Sequence, residues 1–217
     1  MDQVRSKLKT SKTLVGTFSP FQTEDAGESP YLLFLKWYQE ALEHGVHEPH
    51  SMTLSTVGVD GTPDARVLIL KDVDAAGWYF ASSANSMKGI QLNNNPGVAL
   101  TFYWSLIGKQ VRIRGTATPL DRERSAADFL NRGTVARAIA LIDKQSSILE
   151  QQHNFHAALT EQLDRLQRDP AIISSSWTLY RVKAYEVEFW QADQERKHTR
   201  LKYQFQDGRW IKTLLWA

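Results

Sequence analysis

Short apolar runs separated by tight-turn residues constrain the fold of this chain more than any other feature. The first three runs have the length of β-strands and lie at residues 52–57, 65–70 and 78–82. Asp60-Gly61 separates the first two runs, and residues 74–77 form a second turn-rich link. Such links join antiparallel neighbours, whereas parallel strands need a long crossover connection. The stretch therefore predicts antiparallel hairpins around a buried central strand, with Arg66 and Lys71 as cations at its two ends.

The alternation of apolar and polar residues continues through the rest of the chain. Further strands are predicted at residues 97–104, 110–120 and 177–190, with a last hairpin through Asp207-Gly208 into residues 210–215. Helices are predicted at residues 30–45, 86–92 and 121–131, in a segment that ends at residue 142, and at residues 149–168. This succession is typical of a mainly β, α+β fold, in which an antiparallel barrel or sandwich carries peripheral helices.

The composition favours a globular protein whose partners are small anions. The chain has 217 residues, of which 42% are hydrophobic, and a formal net charge of +2. Its Lys and Arg residues are interspersed with acids, which argues against nucleic-acid binding and against a basic membrane-binding face. Because cysteine is absent, disulfides and thiol nucleophiles are excluded. No apolar run approaches the length of a membrane span or a secretory signal, and we expect a cytoplasmic protein.

The first 29 residues differ from the rest of the chain. They are polar, contain Gly16, Pro20 and Gly27, and show no sustained periodicity. We therefore expect an extended or mobile arm over residues 1–29 and a single domain over residues 30–217. No internal repeat or low-complexity linker divides this domain.

Ser86 and Lys88 form a candidate anion site at the start of a short predicted helix. Ser86 is a good N-cap residue, and Lys88 lies in the first turn. Free backbone N–H groups and the positive end of the helix dipole favour a phosphate at such a position. The alternative is an ordinary capped helix without a ligand.

A second group of cations lies near the C-terminus. Arg196, His198 and Arg200 alternate, so an extended backbone would project all three side chains from one face. Like charges this close repel one another unless water or an anion lies among them. The segment is therefore either a ligand site or a solvated edge strand. Trp190 favours a ligand site, because an indole can cover a planar heterocycle.

Several other functional classes have little support. His44, His47 and His50 are spaced three apart, but Gly45 and Pro49 break the helical register, so no metal site is predicted. The chain has no glycine-rich nucleotide-binding motif. It also has no nucleophile elbow, which argues against a hydrolase.

Five sequence blocks occur in the order and spacing of one protein family. The blocks are residues 66–71, Ser86 with Lys88, Gln110, residues 144–147, and residues 188–190 with 196–200. On these residues the chain resembles the pyridoxamine 5'-phosphate oxidase family, over nearly its whole length after about residue 30. The resemblance implies an antiparallel FMN-binding split β-barrel, a homodimer with FMN in the subunit interface, and oxidation of a phosphorylated B6 vitamer by molecular oxygen.

The same resemblance implies roles for individual residues. The implied FMN-binding residues are Arg66, Val67, Leu68, Lys71, Ser82, Ser86, Lys88, Gln110, Gln145, Ser146, Trp190 and Arg200, of which the last five would come from the second subunit. The implied substrate-binding residues are Lys71, Arg132, Arg196 and His198. Arg196 and His198 would be the catalytic residues, since they would orient the substrate ring. The substrate carbon would give a hydride to the flavin, and oxygen would reoxidise the flavin with release of hydrogen peroxide.

Three positions depart from the pattern of the family. Met87 stands where an arginine usually precedes the phosphate-binding lysine, which would weaken FMN binding. Asp128 stands where a tyrosine bonds the substrate phosphate, and Ala136 stands where a serine does. A carboxylate close to a phosphate would repel it by roughly 1 kcal/mol in water and about 4 kcal/mol near a protein surface.

Three functions remain open on the sequence. The first is an FMN-dependent oxidase of pyridoxamine or pyridoxine 5'-phosphate, favoured because all four implied substrate-binding residues are present. The second keeps the flavin and the oxidase chemistry but takes another substrate, as in the related oxidases of phenazine biosynthesis. Asp128 and Ala136 favour this second function. The third is a non-enzymatic protein that binds FMN or a B6 phosphate.

Overall fold

The part of the chain that the structure describes contains nine strands and six α-helices. This computed structural model covers residues 1–217, except for the side chain at position 2. The helices are α1 (Asp2–Thr10), α2 (Pro30–Glu43), α3 (Met87–Asn94), α4 (Arg122–Leu130), α5 (Thr134–Ile142) and α6 (Gln152–Arg168). The strands are β1 (Ser51–Val57), β2 (Pro63–Ile69), β3 (Asp72–Asp74), β4 (Gly77–Ser83), β5 (Gly97–Trp104), β6 (Lys109–Pro119), β7 (Trp177–Gln191), β8 (Thr199–Gln206) and β9 (Arg209–Leu215). Within the described residues, no helix is both long and apolar enough to cross a membrane.

The strands pair in one sheet. Its order is β2-β1-β5-β6-β7-β4-β3, and β8 pairs with both β7 and β9. The first predicted hairpin is confirmed, because β1 and β2 are antiparallel and place Ser55 opposite Ala65. The second predicted turn joins the short strand β3 to β4, where Val73 lies opposite Trp78. The predicted antiparallel, mainly β arrangement is therefore confirmed.

The chain divides into two compact units, and the first has an aromatic core. This unit comprises Met1–His50, Thr101–Ile113 and Tyr185–Ala217. The Phe34 ring of α2 lies 4.9 Å from the Phe102 ring, and the Trp37 ring lies 5.1 Å from the Phe189 ring. α2 presents one face to this core because its buried residues recur at helical spacing.

The second unit comprises Ser51–Leu100 and Arg114–Ala184 and contains the first candidate anion site. Ser86 caps α3, and its side chain accepts a hydrogen bond from the Gly89 N–H at 3.3 Å. A Cβ on Gly89 would lie 2.3 Å from the carbonyl oxygen of Ala84. The tight connection from β4 into α3 therefore requires glycine at this position. Lys88, the residue before Gly89, is buried.

The central predicted strand is less buried than its apolar run indicated. β2 alternates between exposed and half-buried residues, and Val67 keeps 66% of its surface exposed. β2 lies at one end of the sheet order, so it has a strand neighbour on one side, β1. The prediction of a buried strand was wrong because an apolar run also occurs in an edge strand whose side chains line a cavity. Lys71 follows the strand, and its backbone N–H donates to the Tyr79 carbonyl at 2.7 Å.

The first 29 residues contain regular structure that their sequence did not predict. They include α1 and a 3-10 turn at Thr23–Ala26. Tyr203 of β8 donates hydrogen bonds to the carbonyls of Ala26 and Gly27, at 2.8 and 3.0 Å. The expectation of an extended arm was therefore wrong for these two segments. The division of the chain into an arm and a single domain stays a prediction.

Candidate functional site

A cavity of about 760 Å³ in the second unit brings together many of the predicted site residues. Its walls come from β2, β4, α5, α6 and the loop between these two helices. The predicted residues that line it are Val67, Leu68, Lys71, Ser82, Arg132 and Gln145. Those of the same unit that lie outside the lining are Arg66, Ser86, Lys88 and Ser146. Trp177 and several isoleucines make much of the remaining wall apolar, and such a cavity suits a planar aromatic ligand.

Lys88 is a buried cation next to the cavity wall. It is 5% exposed, and its Nζ donates hydrogen bonds to Ser82 Oγ at 3.3 Å and Ser86 Oγ at 3.2 Å. Burial lowers the pKa of the Lys88 ammonium, Arg66 lowers it further, and Asp64 opposes the shift. Among the described residues, no carboxylate lies within ion-pair distance of this ammonium. A bound anion would therefore restore its preference for the charged form.

Lys71, by contrast, has a carboxylate partner. Its Nζ lies 3.1 Å from Asp128 Oδ1. The other carboxylate oxygen of Asp128 accepts a hydrogen bond from Trp177 Nε1 at 2.8 Å. Both oxygens are engaged, so a fixed negative charge occupies the position where the family pattern has a tyrosine.

Arg132 contacts the same indole. Its guanidinium carbon lies 4.0 Å from the centre of the Trp177 ring, and its Nη2 donates to the Ala136 carbonyl at 3.3 Å. Its Nε is buried without a hydrogen-bond partner in the described part of the chain. Burial lowers the pKa of Arg132, and Asp128 opposes that shift. Because a guanidinium keeps its proton in proteins, Arg132 is a cation that still has donors for a ligand.

Arg66 is held by residues to which the sequence analysis gave no role. Its guanidinium pairs with Asp64 and donates to Thr56 Oγ1 at 2.5 Å and to Gln91 Oε1 at 3.2 Å. A hydrogen bond from Gln91, together with the charge of Arg66, lowers the pKa of Asp64. Asp64 and Arg66 lie two apart on β2 and share a face, so their spacing could have revealed the pair. Arg66 thus has partners within the protein itself.

Asp143 is a second carboxylate that the sequence analysis missed. It accepts hydrogen bonds from Ser83 Oγ at 3.0 Å and Asn85 Nδ2 at 2.7 Å, and a short one from Ser176 Oγ. These bonds connect the end of α5 to the end of β4, to the segment between β4 and α3, and to the residue that precedes β7. They fix the start of the loop that carries Gln145 on the cavity wall.

The first unit contains the other predicted site residues. They are Gln110, Trp190, Arg196, His198 and Arg200. The His198 and Trp190 rings lie 4.9 Å apart, and His198 Nδ1 accepts a hydrogen bond from the Asp193 N–H at 3.1 Å. A neutral His198 therefore carries its proton on Nε2 and presents a donor there. Gln110 is half-buried in β6.

The alternating cations of this unit do not share one extended face. Arg196 has a φ of 65° and lies in a turn, whereas Arg200 lies in β8. The Asp193 carboxylate organises this turn, since its Oδ1 accepts hydrogen bonds from the N–H groups of Glu195 and Lys197 at 2.8 and 3.1 Å. The expectation of a common face was wrong because this side-chain-to-backbone bonding interrupts the strand.

Arg200 is bound to a buried carboxylate. Its Nε donates to Glu188 Oε1 at 2.9 Å, and its Nη1 donates to the Trp216 carbonyl at 2.9 Å. Glu188 Oε2 also accepts a hydrogen bond from Arg112 Nη1 at 3.2 Å. Two arginines therefore share one carboxylate in this unit, and the sequence analysis gave neither Glu188 nor Arg112 a role.

FMN is the cofactor that the resemblance implies, and the second unit has residues that fit its phosphate. The buried Lys88 ammonium, the Ser82 and Ser86 hydroxyls and the start of α3 lie together. A positively charged side chain, hydroxyl groups and a helix N-terminus commonly bind phosphate in proteins. The apolar lining next to Ser82 suits a ring system. Met87 is exposed and supplies no second cation.

Comparisons with known proteins agree with these observations. Residues 38–163 match the family model described as pyridoxamine 5'-phosphate oxidase, and residues 177–217 match the model of the pyridoxine 5'-phosphate oxidase C-terminal dimerisation region. A pyridoxine/pyridoxamine 5'-phosphate oxidase from Gloeothece citriformis is 35% identical over 212 residues, which cover 97% of each chain. The protein of the same name from Caulobacter vibrioides is 36% identical over 188 residues, covering 84% of this chain and 82% of its own.

Solved structures show the same fold. PhzG from Burkholderia lata, solved with tetrahydrophenazine-1-carboxylic acid, superposes with a TM-score of 0.87 at 27% identity, covering 93% of this chain and 100% of PhzG. A pyridoxamine 5'-phosphate oxidase-related, FMN-binding protein from Nostoc punctiforme has a TM-score of 0.69 at 16% identity, covering 87% and 98% of the two chains. The predicted split-barrel fold is thereby confirmed.

Proposed function

The chain belongs to the pyridoxamine 5'-phosphate oxidase family, whose members are FMN-dependent oxidoreductases, and from this premise we propose that it is an FMN-dependent oxidase of an anionic nitrogen heterocycle. The observation that carries the proposal is the buried Lys88 ammonium, which contacts Ser82 on the wall of the apolar cavity. A flavin phosphate would compensate the charge of Lys88. The cavity offers apolar surface to the attached ring.

The proposed FMN-binding residues are Arg66, Val67, Leu68, Lys71, Ser82, Ser86, Lys88, Gln110, Gln145, Ser146, Trp190 and Arg200. We propose that the chain forms a homodimer and that residues of a second copy complete the site. The match of residues 177–217 to a dimerisation region supports this proposal.

The residues of the chain would bind and orient the reactants. When bound, FMN supplies the redox chemistry, in which a hydride leaves the substrate carbon and molecular oxygen is reduced to hydrogen peroxide. Lys71 and Arg132 are the cations that would face an anionic substituent of the substrate. His198 would donate a hydrogen bond from Nε2, and Arg196 would hold the substrate ring.

Two substrate classes have support. Pyridoxine and pyridoxamine 5'-phosphate are favoured by the names of the relatives and by the presence of Lys71 and Arg132 on the cavity wall. A reduced phenazine carboxylic acid is favoured by the similarity to PhzG and by the pairing of Lys71 with Asp128. Both are anionic heterocycles that can give up a hydride.

Anaerobic flavin reduction tests the proposed function. The purified protein is loaded with FMN, desalted, and mixed without oxygen with pyridoxine 5'-phosphate or with tetrahydrophenazine-1-carboxylic acid. We expect the visible flavin absorbance to bleach with one of them, and to return in air with release of hydrogen peroxide. A flavin that stays oxidised with both compounds would contradict the proposal.

His198→Ala tests the assigned substrate contact. We expect turnover to fall about tenfold or more, because the variant loses the Nε2 donor, while the protein retains its FMN. Steady-state peroxide release measures turnover, and the absorbance of the desalted protein measures retained flavin. His153→Ala, an exposed change on α6, is the matched control and should turn over like the unmodified protein. Equal turnover in the two variants would remove His198 from the mechanism.

A further inference from the structure

Positive and negative charges are matched in the walls of the cavity. Its lining carries the cations Lys71, Arg132 and Lys144 and the carboxylates Asp143 and Glu150, and Asp128 adds a third carboxylate through its ion pair with Lys71. A binding site attracts a multiply charged anion through an excess of positive charge. This cavity has little such excess.

Asp128 is held firmly at its position in this arrangement. One of its oxygens pairs with Lys71 and the other accepts the Trp177 N–H, and the side chain is 12% exposed. Moving the carboxylate away from either partner would break an interaction of a largely buried charged group. Arg132 contacts the same indole and keeps an unpartnered buried Nε, so it is a buried cation that remains available to a ligand.

From this arrangement we propose that the cavity selects a heterocycle anchored by a single negative charge, a carboxylate, in preference to one anchored by a phosphate dianion. The inference rests on the proposed function and narrows its substrate class. A carboxylate matches the charge of Arg132 and can accept paired hydrogen bonds from a guanidinium. A phosphate dianion would bring a second negative charge close to Asp128, where like charges repel.

Three ligands with one shared ring separate charge from shape. They are 4-deoxypyridoxine, its 5'-phosphate, and 3-hydroxy-2,4-dimethylpyridine-5-carboxylate. None has an oxidisable group at the ring 4-position, so binding is measured without turnover. Each is titrated by calorimetry into FMN-loaded protein and into FMN-free Lys88→Met, in which the proposed flavin-phosphate site is lost, at about pH 8, where a phosphate ester is a dianion.

The unmodified protein and Asp128→Asn are expected to rank these ligands differently. In the unmodified protein the carboxylate should bind about tenfold more tightly than the phosphate, since one additional charge beside Asp128 is unfavourable. In Asp128→Asn the phosphate should gain about tenfold more affinity than the carboxylate, so that the preference disappears. The uncharged ligand should bind both proteins alike and gives the baseline.

Glu123→Gln is the matched control. Glu123 lies on the same helix, α4, but is exposed, so removing its charge should leave the ranking unchanged. A phosphate that binds the unmodified protein more tightly than the carboxylate would overturn the inference, and so would failure of the carboxylate to bind. An unchanged ratio in Asp128→Asn would overturn it as well. The ranking in the unmodified protein decides the matter even if the variant does not fold.

Failure of the proposed function has a separate signature. An inactive flavin, or no retained FMN, contradicts the oxidase without affecting the ligand ranking, because the ranking is also measured in FMN-free Lys88→Met, where neither a flavin nor the Lys88 charge takes part. A reversed ranking alongside peroxide release would contradict the charge selection and leave the oxidase intact.

Discussion

Lys88 and Lys71 belong to the same unit but have opposite electrostatic surroundings. Lys88 is 5% exposed, and hydroxyl groups are its hydrogen-bond partners. The Lys71 side chain is 30% exposed, and its Nζ lies 3.1 Å from a carboxylate oxygen of Asp128. A buried ammonium without a carboxylate stabilises an incoming anion, whereas an ammonium in an ion pair is already compensated.

The difference shows that a lysine at a site position does not by itself define an anion site. The same resemblance implies ligand contacts for both lysines, yet their neighbours give them different capacities. The Lys88 surroundings suit a phosphate, and the Lys71 surroundings suit a ligand of lower charge. The cofactor and the substrate should therefore respond differently to changes at the two positions.

The largest expected effect is the loss of FMN affinity in Lys88→Met. The variant removes charge-assisted hydrogen bonds worth about 1.5–3 kcal/mol, so we expect FMN to bind up to about a hundredfold more weakly. Lys71→Met is the matched comparison and should weaken FMN binding by about tenfold at most, because Asp128 already uses this charge. Titration of flavin fluorescence measures both constants. Equal losses would erase the distinction between the two lysines.

Ser86→Ala should have a smaller effect, which is on the stability of the protein. Losing the N-cap of α3 should lower the free energy of unfolding by about 1 kcal/mol, as measured by urea denaturation of the FMN-free protein. Ser82→Ala removes the other hydroxyl next to Lys88 but leaves the cap, so its unfolding free energy should fall less. If the two variants lose equal stability, the cap of α3 is not the reason for the effect.

The smallest expected effect is a pH dependence of stability. Burial lowers the pKa of Lys88 from its ordinary value of 10.5. Between the lowered pKa and 10.5, the unfolded chain binds more protons than the folded protein, so the unfolding free energy of FMN-free protein should rise with pH. Lys88→Met should lack this contribution. Urea denaturation at several pH values above about 8 compares the two proteins. If the unfolding free energy has the same slope against pH in both, the result would argue against a lowered pKa of Lys88.

Much of the fold could be predicted because its signals are local. Asp60-Gly61 marks a turn, the alternation in residues 97–104 marks a strand, and Ser86 marks the start of α3, and all three are confirmed. Each of these features depends on neighbouring residues alone. β2 was misjudged because burial depends on which elements cover a strand.

The partners of the site residues could not be predicted from local patterns. Asp128 pairs with Lys71, which is distant in sequence. The residues around Lys71 give no indication of this pairing. The same holds for Asp143 and its partners in the β4–α3 segment. The turn at Arg196 was missed because a single carboxylate, Asp193, bends a segment that reads as extended. Side-chain partners across the fold set these charges, and they appear only with tertiary structure.

Comparing FMN with riboflavin, which lacks the phosphate, tests most directly whether Lys88 forms a flavin-phosphate site. Both are titrated into FMN-free protein by following flavin fluorescence. We expect the unmodified protein to bind FMN at least about tenfold more tightly than riboflavin, and Lys88→Met to lose most of that preference. Equal affinities for the two flavins in the unmodified protein would contradict a phosphate site at Lys88.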